Sequence, residues 1–127
     1  MKQLIDQALR FLHLADRDIR AFHALKNNSS VDLASVGFHA QQAIEKCLKA
    51  VLIYSNQDPA RTHDLSQLAY AIMAEKITLP LSVEDISKLN PYAVIYRYDD
   101  TEVNIVTREE AQEMIETIYS WAKKLVI

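Results

Sequence analysis

The chain has 127 residues, of which 50% are hydrophobic and 24% charged; that is the size and balance of one ordinary domain with a real core, and it argues against a disordered chain. One Gly and three Pro are too few for the turns that sheets require, so a few long helices are expected. A net charge of -3 and a pI near 5.8 argue against a protein that coats nucleic acid by neutralising phosphates, while leaving room for a small local basic site.

Cys47 is the one cysteine, so no intrachain disulfide or Cys-based zinc site can form, which fits a reducing cytoplasm. The four His never fall as His-x-x-x-His or beside Cys, and no Gly-rich loop exists to cradle phosphates. No metal and no cofactor is therefore expected. The start, MKQLIDQALR, turns charged too soon for a secretory signal, and no apolar run approaches the roughly 20 residues that span a membrane. The expected location is cytoplasmic, without a membrane partner.

Taken in chain order, Leu4, Ala8, Phe11, Leu12, Ala15, Ile19 and Phe22 fall at helical spacing and predict a helix from Gln3 to Lys26. Asn27-Asn28-Ser29-Ser30 should stop it, because these side chains compete for backbone hydrogen bonds. Asp32 is the expected N-cap of a second helix, whose stripe is Leu33, Val36, Ala40, Ala43, Ile44, Cys47, Val51 and Tyr54. It should end near Ser55. Thr62 is the expected cap of a third helix from His63 to Lys76, with Leu65, Leu68, Ala69 and Ile72 buried. Ser82 with Asp85 opens a fourth segment, which Pro91 should interrupt. The stretch Tyr92 to Tyr98 is read as helix rather than strand, since no partner strand exists. Thr107 and Glu110 form a capping box for a last helix carrying Ala111, Met114, Ile115, Ile118, Ala122, Leu125 and Val126. The expected fold class is all-α: one domain over 1–127, an antiparallel up-and-down bundle of four to five helices.

Three separated segments carry a family resemblance. Phe38-His39-Ala40-Gln41-Gln42-Ala43-Ile44-Glu45-Lys46-Cys47-Leu48-Lys49-Ala50-Val51-Leu52 is the first, Arg61-Thr62-His63-Asp64-Leu65 the second, and the aromatic-rich Tyr92 to Asp99 the third. In order and spacing they resemble the HEPN domains of bacteria and archaea, over nearly the whole chain. The third region is often Arg-Tyr-Pro in that family, and Asp99 stands here in place of the Pro. The resemblance implies a helical bundle, commonly a homodimer, often paired with a minimal nucleotidyltransferase as a toxin–antitoxin system. It also implies nucleotide binding in some members and metal-independent RNA cleavage in others, by an Arg followed at short spacing by His.

Arg97 stands where that Arg is expected and is the best candidate catalytic residue. The positions for the His hold Glu102, Val103 and Asn104. A His can move a proton near neutral pH, with an ordinary pKa of about 6.5; none of these three is a His, and Asn104 could hydrogen-bond a phosphate but not act as a base. His39, Gln42 and Lys46 share one edge of the second helix, at spacings that keep them neighbours. With Arg97 and Tyr98 they are the candidate nucleotide or phosphate site. His39 and Gln42 could equally serve as interhelical hydrogen-bonders, and Arg97 as a helix-terminal cation pairing with Asp99 or Asp100. Phe38, Leu48 and Leu52 point away from the main stripe and are the candidate homodimer face, with Gln41 and Glu45 beside them, unless a further helix of the same chain covers them. His63 is a weaker candidate, and the first turn of a helix alone explains Asp64. The expected function is that of a HEPN-domain protein in a toxin–antitoxin pair, nucleotide-binding and without the usual RNase motif. The alternative is a metal-independent ribonuclease toxin using Arg97.

Overall fold

Two long helices frame the molecule. In the computed structural model, which describes residues 2–94 and 105–127, α1 spans Lys2–Leu25 and α2 spans Leu33–Tyr54. Ala8, Leu12, Ala15, Ile19 and Phe22 are buried along one face of α1, and Leu4 and Phe11 pack partly buried against the same core. The helix ends where expected. Asn28 Oδ1 takes a bond from the Ser30 amide (3.0 Å), one that continued helix would have claimed. Asp18 of α1 meets His39 and Lys46 of α2, while residues 4–11 lie across from residues 49–56. Contact positions that run in opposite directions along the chain mean the pair is antiparallel.

α2 is the central helix. Val36, Ala40, Ala43, Ile44, Cys47, Leu48, Ala50, Val51, Leu52 and Ile53 are all buried, and they occupy more than one side of it. α1, α3, the 3-10 turn and the last helix each pack on it. A helix that buries apolar residues on more than one side needs neighbours on each of those sides. Asp32 occupies the N-cap position of α2, as expected, though its side chain makes no capping bond.

α3 (Leu65–Ala74) begins two residues later than the sequence pattern predicts. Its N-cap is Asp64, whose carboxylate accepts from the Ser66 amide (3.0 Å), and Thr62 instead accepts from the Asp64 amide (3.0 Å). The reason is tertiary. Asn90 accepts from the Leu65 amide (2.7 Å) and donates to Asp64 Oδ1 (3.0 Å), so a side chain far along the chain braces this end. Leu65, Leu68, Ala69 and Ile72 are buried as expected.

α4 (Val83–Ser87) is opened by Ser82, which accepts from the Asp85 amide (3.1 Å). Pro91 does interrupt it: a 3-10 turn, Asn90–Ala93, replaces further α-helix and buries Tyr92. The expected helix through Tyr98 lies mostly outside the described residues. α5 (Arg108–Val126) starts from the complete capping box, with Glu110 N to Thr107 Oγ1 and Thr107 N to Glu110 Oε1 both at 3.0 Å. Trp121 ties it to the α3–α4 connector through a bond from Nε1 to the Thr78 carbonyl (3.0 Å). The fold is thus an all-α helical bundle, with no strand among the described residues. No described helix is long and apolar enough to cross a membrane.

Candidate functional site

The polar chemistry of the bundle is gathered on α2, in two strips beside its buried core. Positions 39, 42 and 46 form one edge, and positions 41, 45 and 49 the other. Helical spacings of three and four residues stack the members of each strip.

The first strip closes onto α1. His39 Nδ1 lies 3.0 Å from Asp18 Oδ1, and Lys46 Nζ donates to Asp18 Oδ2. The Asp18 side chain is only 12% exposed. Burial pushes its carboxyl up, but the hydrogen bonds from His39 and Lys46 and the charge of Lys46 together outweigh this and hold it below the usual carboxylate range. A carboxylate can only accept, so Nδ1 of His39 carries the hydrogen in this pair.

The second strip is built around Glu45, whose side chain is 5% exposed. Its Oε2 takes Lys49 Nζ (3.1 Å), and its Oε1 faces His63 Nδ1 (2.8 Å) and Gln41 Nε2 (3.3 Å). Gln41 Nε2 also donates to the His63 carbonyl (3.0 Å), which fixes both the ring and the main chain of that residue. Gln42 Nε2 donates to Gln41 Oε1 (2.7 Å), and so joins the two strips. Burying a carboxylate is costly unless it is paired and hydrogen-bonded, and Glu45 is both.

The structure therefore brings His39 and Lys46 together on Asp18, while Gln42 bonds to Gln41 of the other strip. Asp18 is the residue that sequence reasoning missed, and Glu45, expected with Gln41 beside the homodimer face, is instead buried with Gln41 inside this chain. A signal for each existed. Asp18 sits at the margin of the α1 apolar stripe, between Ala15 and Ile19, where a carboxylate needs a partner. Gln41, Glu45 and Lys49 make an i, i+4 ladder, with Glu on the favoured N-terminal side of Lys.

Lys46 reaches Asp18 rather than open solvent, so an incoming phosphate would compete with a carboxylate already in place. Arg97 and Tyr98, the other members of the expected site, lie outside the described residues, as do Glu102, Val103 and Asn104.

The expected exposure of the Phe38, Leu48 and Leu52 face is corrected. Leu48 is 0% and Leu52 1% exposed, both inside the core of this chain. α3, α5 and the 3-10 turn pack on α2, so the side of α2 away from α1 is covered. Phe38 is half-buried, with its ring edge-on to His39 at 5.4 Å. Cys47 is buried, and burial pushes its thiol up, away from the reactive thiolate. Among the described residues, no group of three or more His, Cys, Asp or Glu is placed to hold a metal ion.

The family model described as HEPN domain matches residues 1–125 of the chain. No curated protein and no solved structure matches it.

Proposed function

The chain belongs to the HEPN domain family, and from that premise we propose that it is the HEPN member of a two-protein toxin–antitoxin pair. In this reading it is bound by a minimal nucleotidyltransferase and does not cut RNA with an Arg–His pair of its own. The observation that carries the proposal is Glu102, Val103 and Asn104 at the positions where the family's His would follow Arg97. The family's metal-free cleavage uses a His, whose ordinary pKa suits proton transfer near neutral pH, and none of these three residues is a His. The polar residues of α2 support the same reading. His39 and Lys46 are engaged by Asp18, and the buried Glu45 is engaged by Lys49 and His63. These groups brace helices against one another. Nucleotide binding by His39, Gln42, Lys46, Arg97 and Tyr98 would first require the Asp18 carboxylate to be displaced from Lys46.

The test has two parts. A minimal nucleotidyltransferase is expected to be encoded beside this gene, and co-expression of the two with purification through a tag on that partner is expected to yield a stable complex. The purified protein and its Arg97→Ala variant are then incubated with RNA in the presence of a chelator, and no cleavage by either is expected. Cleavage by the parent that Arg97→Ala abolishes would replace the proposal with a ribonuclease toxin that uses Arg97.

A further inference from the structure

The outer face of α1, turned away from the core, carries a row of basic side chains that the strips on α2 do not use. Arg10, His13, Arg17 and Arg20 follow one another at spacings of three, four and three residues, which keeps them on one side of a helix. All four are exposed. At about 1.5 Å per residue, the row is about 15 Å long.

Several cations elsewhere are occupied. Lys26 donates to Gln112, Lys46 to Asp18, Lys49 to Glu45 and Lys88 to Asp85. Along the row only Arg20 is paired, with Asp16 one turn earlier at 2.9 Å, and its side chain is still 78% exposed. Among the described residues, Arg10 and Arg17 make no hydrogen bond or ion pair. Like charges one turn apart weaken a helix, so Arg17 beside Arg20 gives the fold nothing.

The flanks of the row restrict what it fits. One shoulder is apolar: Ile5 is 40% and Leu9 38% exposed. Asp6 shares the face and Asp16 lies beside it. A nucleic-acid backbone would be repelled by these two carboxylates and would leave the two apolar side chains in water. A helix with carboxylates spaced as the arginines are, and an apolar edge next to them, satisfies both parts. The planar fork of Arg takes a carboxylate bidentately. Charged edges flanking an apolar seam are also how paired helices select partners. We propose that the outer face of α1 is a docking surface for an acidic amphipathic helix of another protein, with carboxylates on Arg10, Arg17 and Arg20 and apolar side chains on Ile5 and Leu9. The surface needs no nucleotidyltransferase, so failure of either proposal leaves the other standing.

The probe is a synthetic peptide of about 20 residues, long enough to hold a helix by itself, with Glu at spacings of three, four and three and Leu on the adjoining edge. A second peptide carries Lys in place of each Glu, and a uridine oligonucleotide supplies a polyanion without an apolar edge. Each is titrated into the whole chain at low ionic strength, by calorimetry and by NMR amide shifts. The Glu peptide is expected to shift residues of α1 and to bind at least about tenfold tighter than the Lys peptide or the oligonucleotide. Arg10→Glu with Arg17→Glu changes two exposed side chains, should keep the helical circular dichroism, and is expected to weaken the Glu peptide about tenfold or more. The milder Arg10→Gln with Arg17→Gln should weaken it about threefold or more, while Arg61→Glu, at an exposed arginine of the loop after α2, should leave it unchanged. The proposal is overturned by no binding of the Glu peptide up to about 1 mM, by equal binding of the Lys peptide, or by binding that survives both double substitutions. Tighter binding of the oligonucleotide, lost in the same variants, would overturn it in favour of nucleic acid.

Discussion

Asp18 is a single carboxylate on which two helices depend. It receives His39 and Lys46 from α2, and these bonds hold its carboxyl below the ordinary range despite burial. Linkage sets the sign of the pH effect. A carboxyl whose folded value is depressed contributes stability that is complete above its unfolded value, about 3.9, and that is lost as pH falls towards and through the lower folded value. Urea unfolding followed from pH 6 downward should therefore show this contribution fading in the acid range. In Asp18→Asn that part of the pH dependence should be absent, and stability at neutral pH should be lower by about 1–3 kcal/mol, the cost of partners left half-satisfied. An unchanged acid limb in the variant would mean that the Asp18 bonds are not formed in solution.

Between elements, one arginine does work that its position in a capping sequence conceals. Arg108, the first residue of α5, donates through Nη1 to the carbonyls of Leu25 (3.3 Å), Lys26 (2.8 Å) and Asn28 (3.2 Å), and through Nη2 to that of Val31. The last carbonyls of a helix have no partner within it, and here α5 supplies one for the end of α1. Lys26 answers by donating to Gln112 of α5. Arg108→Ala should lower stability by about 1.5–3 kcal/mol, in line with hydrogen bonds from a charged donor. Arg108→Lys should recover only part of this, since one nitrogen cannot span the loop. The readout is the urea midpoint, with the slope unchanged.

Gly37 marks a second contact between elements. A Cβ there would stand 2.6 Å from Cδ1 of Tyr92, whose ring is 0% exposed and whose hydroxyl accepts from the Ile105 amide (3.2 Å). Ala favours a helix over Gly by about 1 kcal/mol, but overpacking a ring that cannot move away costs about 1–3 kcal/mol. Gly37→Ala should therefore melt at a lower temperature than the parent. A higher melting temperature would mean that the Tyr92 ring does not lie against α2.

For the whole molecule, the enclosure of α2 is the governing fact. Leu48 and Leu52 lie within the core that α1, α3 and α5 build around it. A charge at either position has no partner and no water. Leu48→Asp should cost more than about 4 kcal/mol, beyond the usual range for single substitutions. Its expected signature is lost helical circular dichroism rather than a change of oligomer. A folded variant that light scattering shows as a smaller species than the parent would restore these leucines to an interface between copies.

Hydrophobic periodicity and local side-chain bonds by themselves determined the helical class, the extents of α1 and α2, the Ser82 and Thr107 caps, the break at Pro91, and the shared edge of His39, Gln42 and Lys46. Each of these depends on residues within about a turn or two of one another, which a linear reading contains. Only the tertiary structure decided what stands opposite each face. It set Asp18 against His39 and Lys46, and His63 against the buried Glu45. It moved the start of α3 from Thr62 to Asp64 through Asn90, and it enclosed Leu48 and Leu52. Periodicity shows which residues share a side of a helix. What covers that side is set by segments far along the chain, through packing and the need to pair every buried charge.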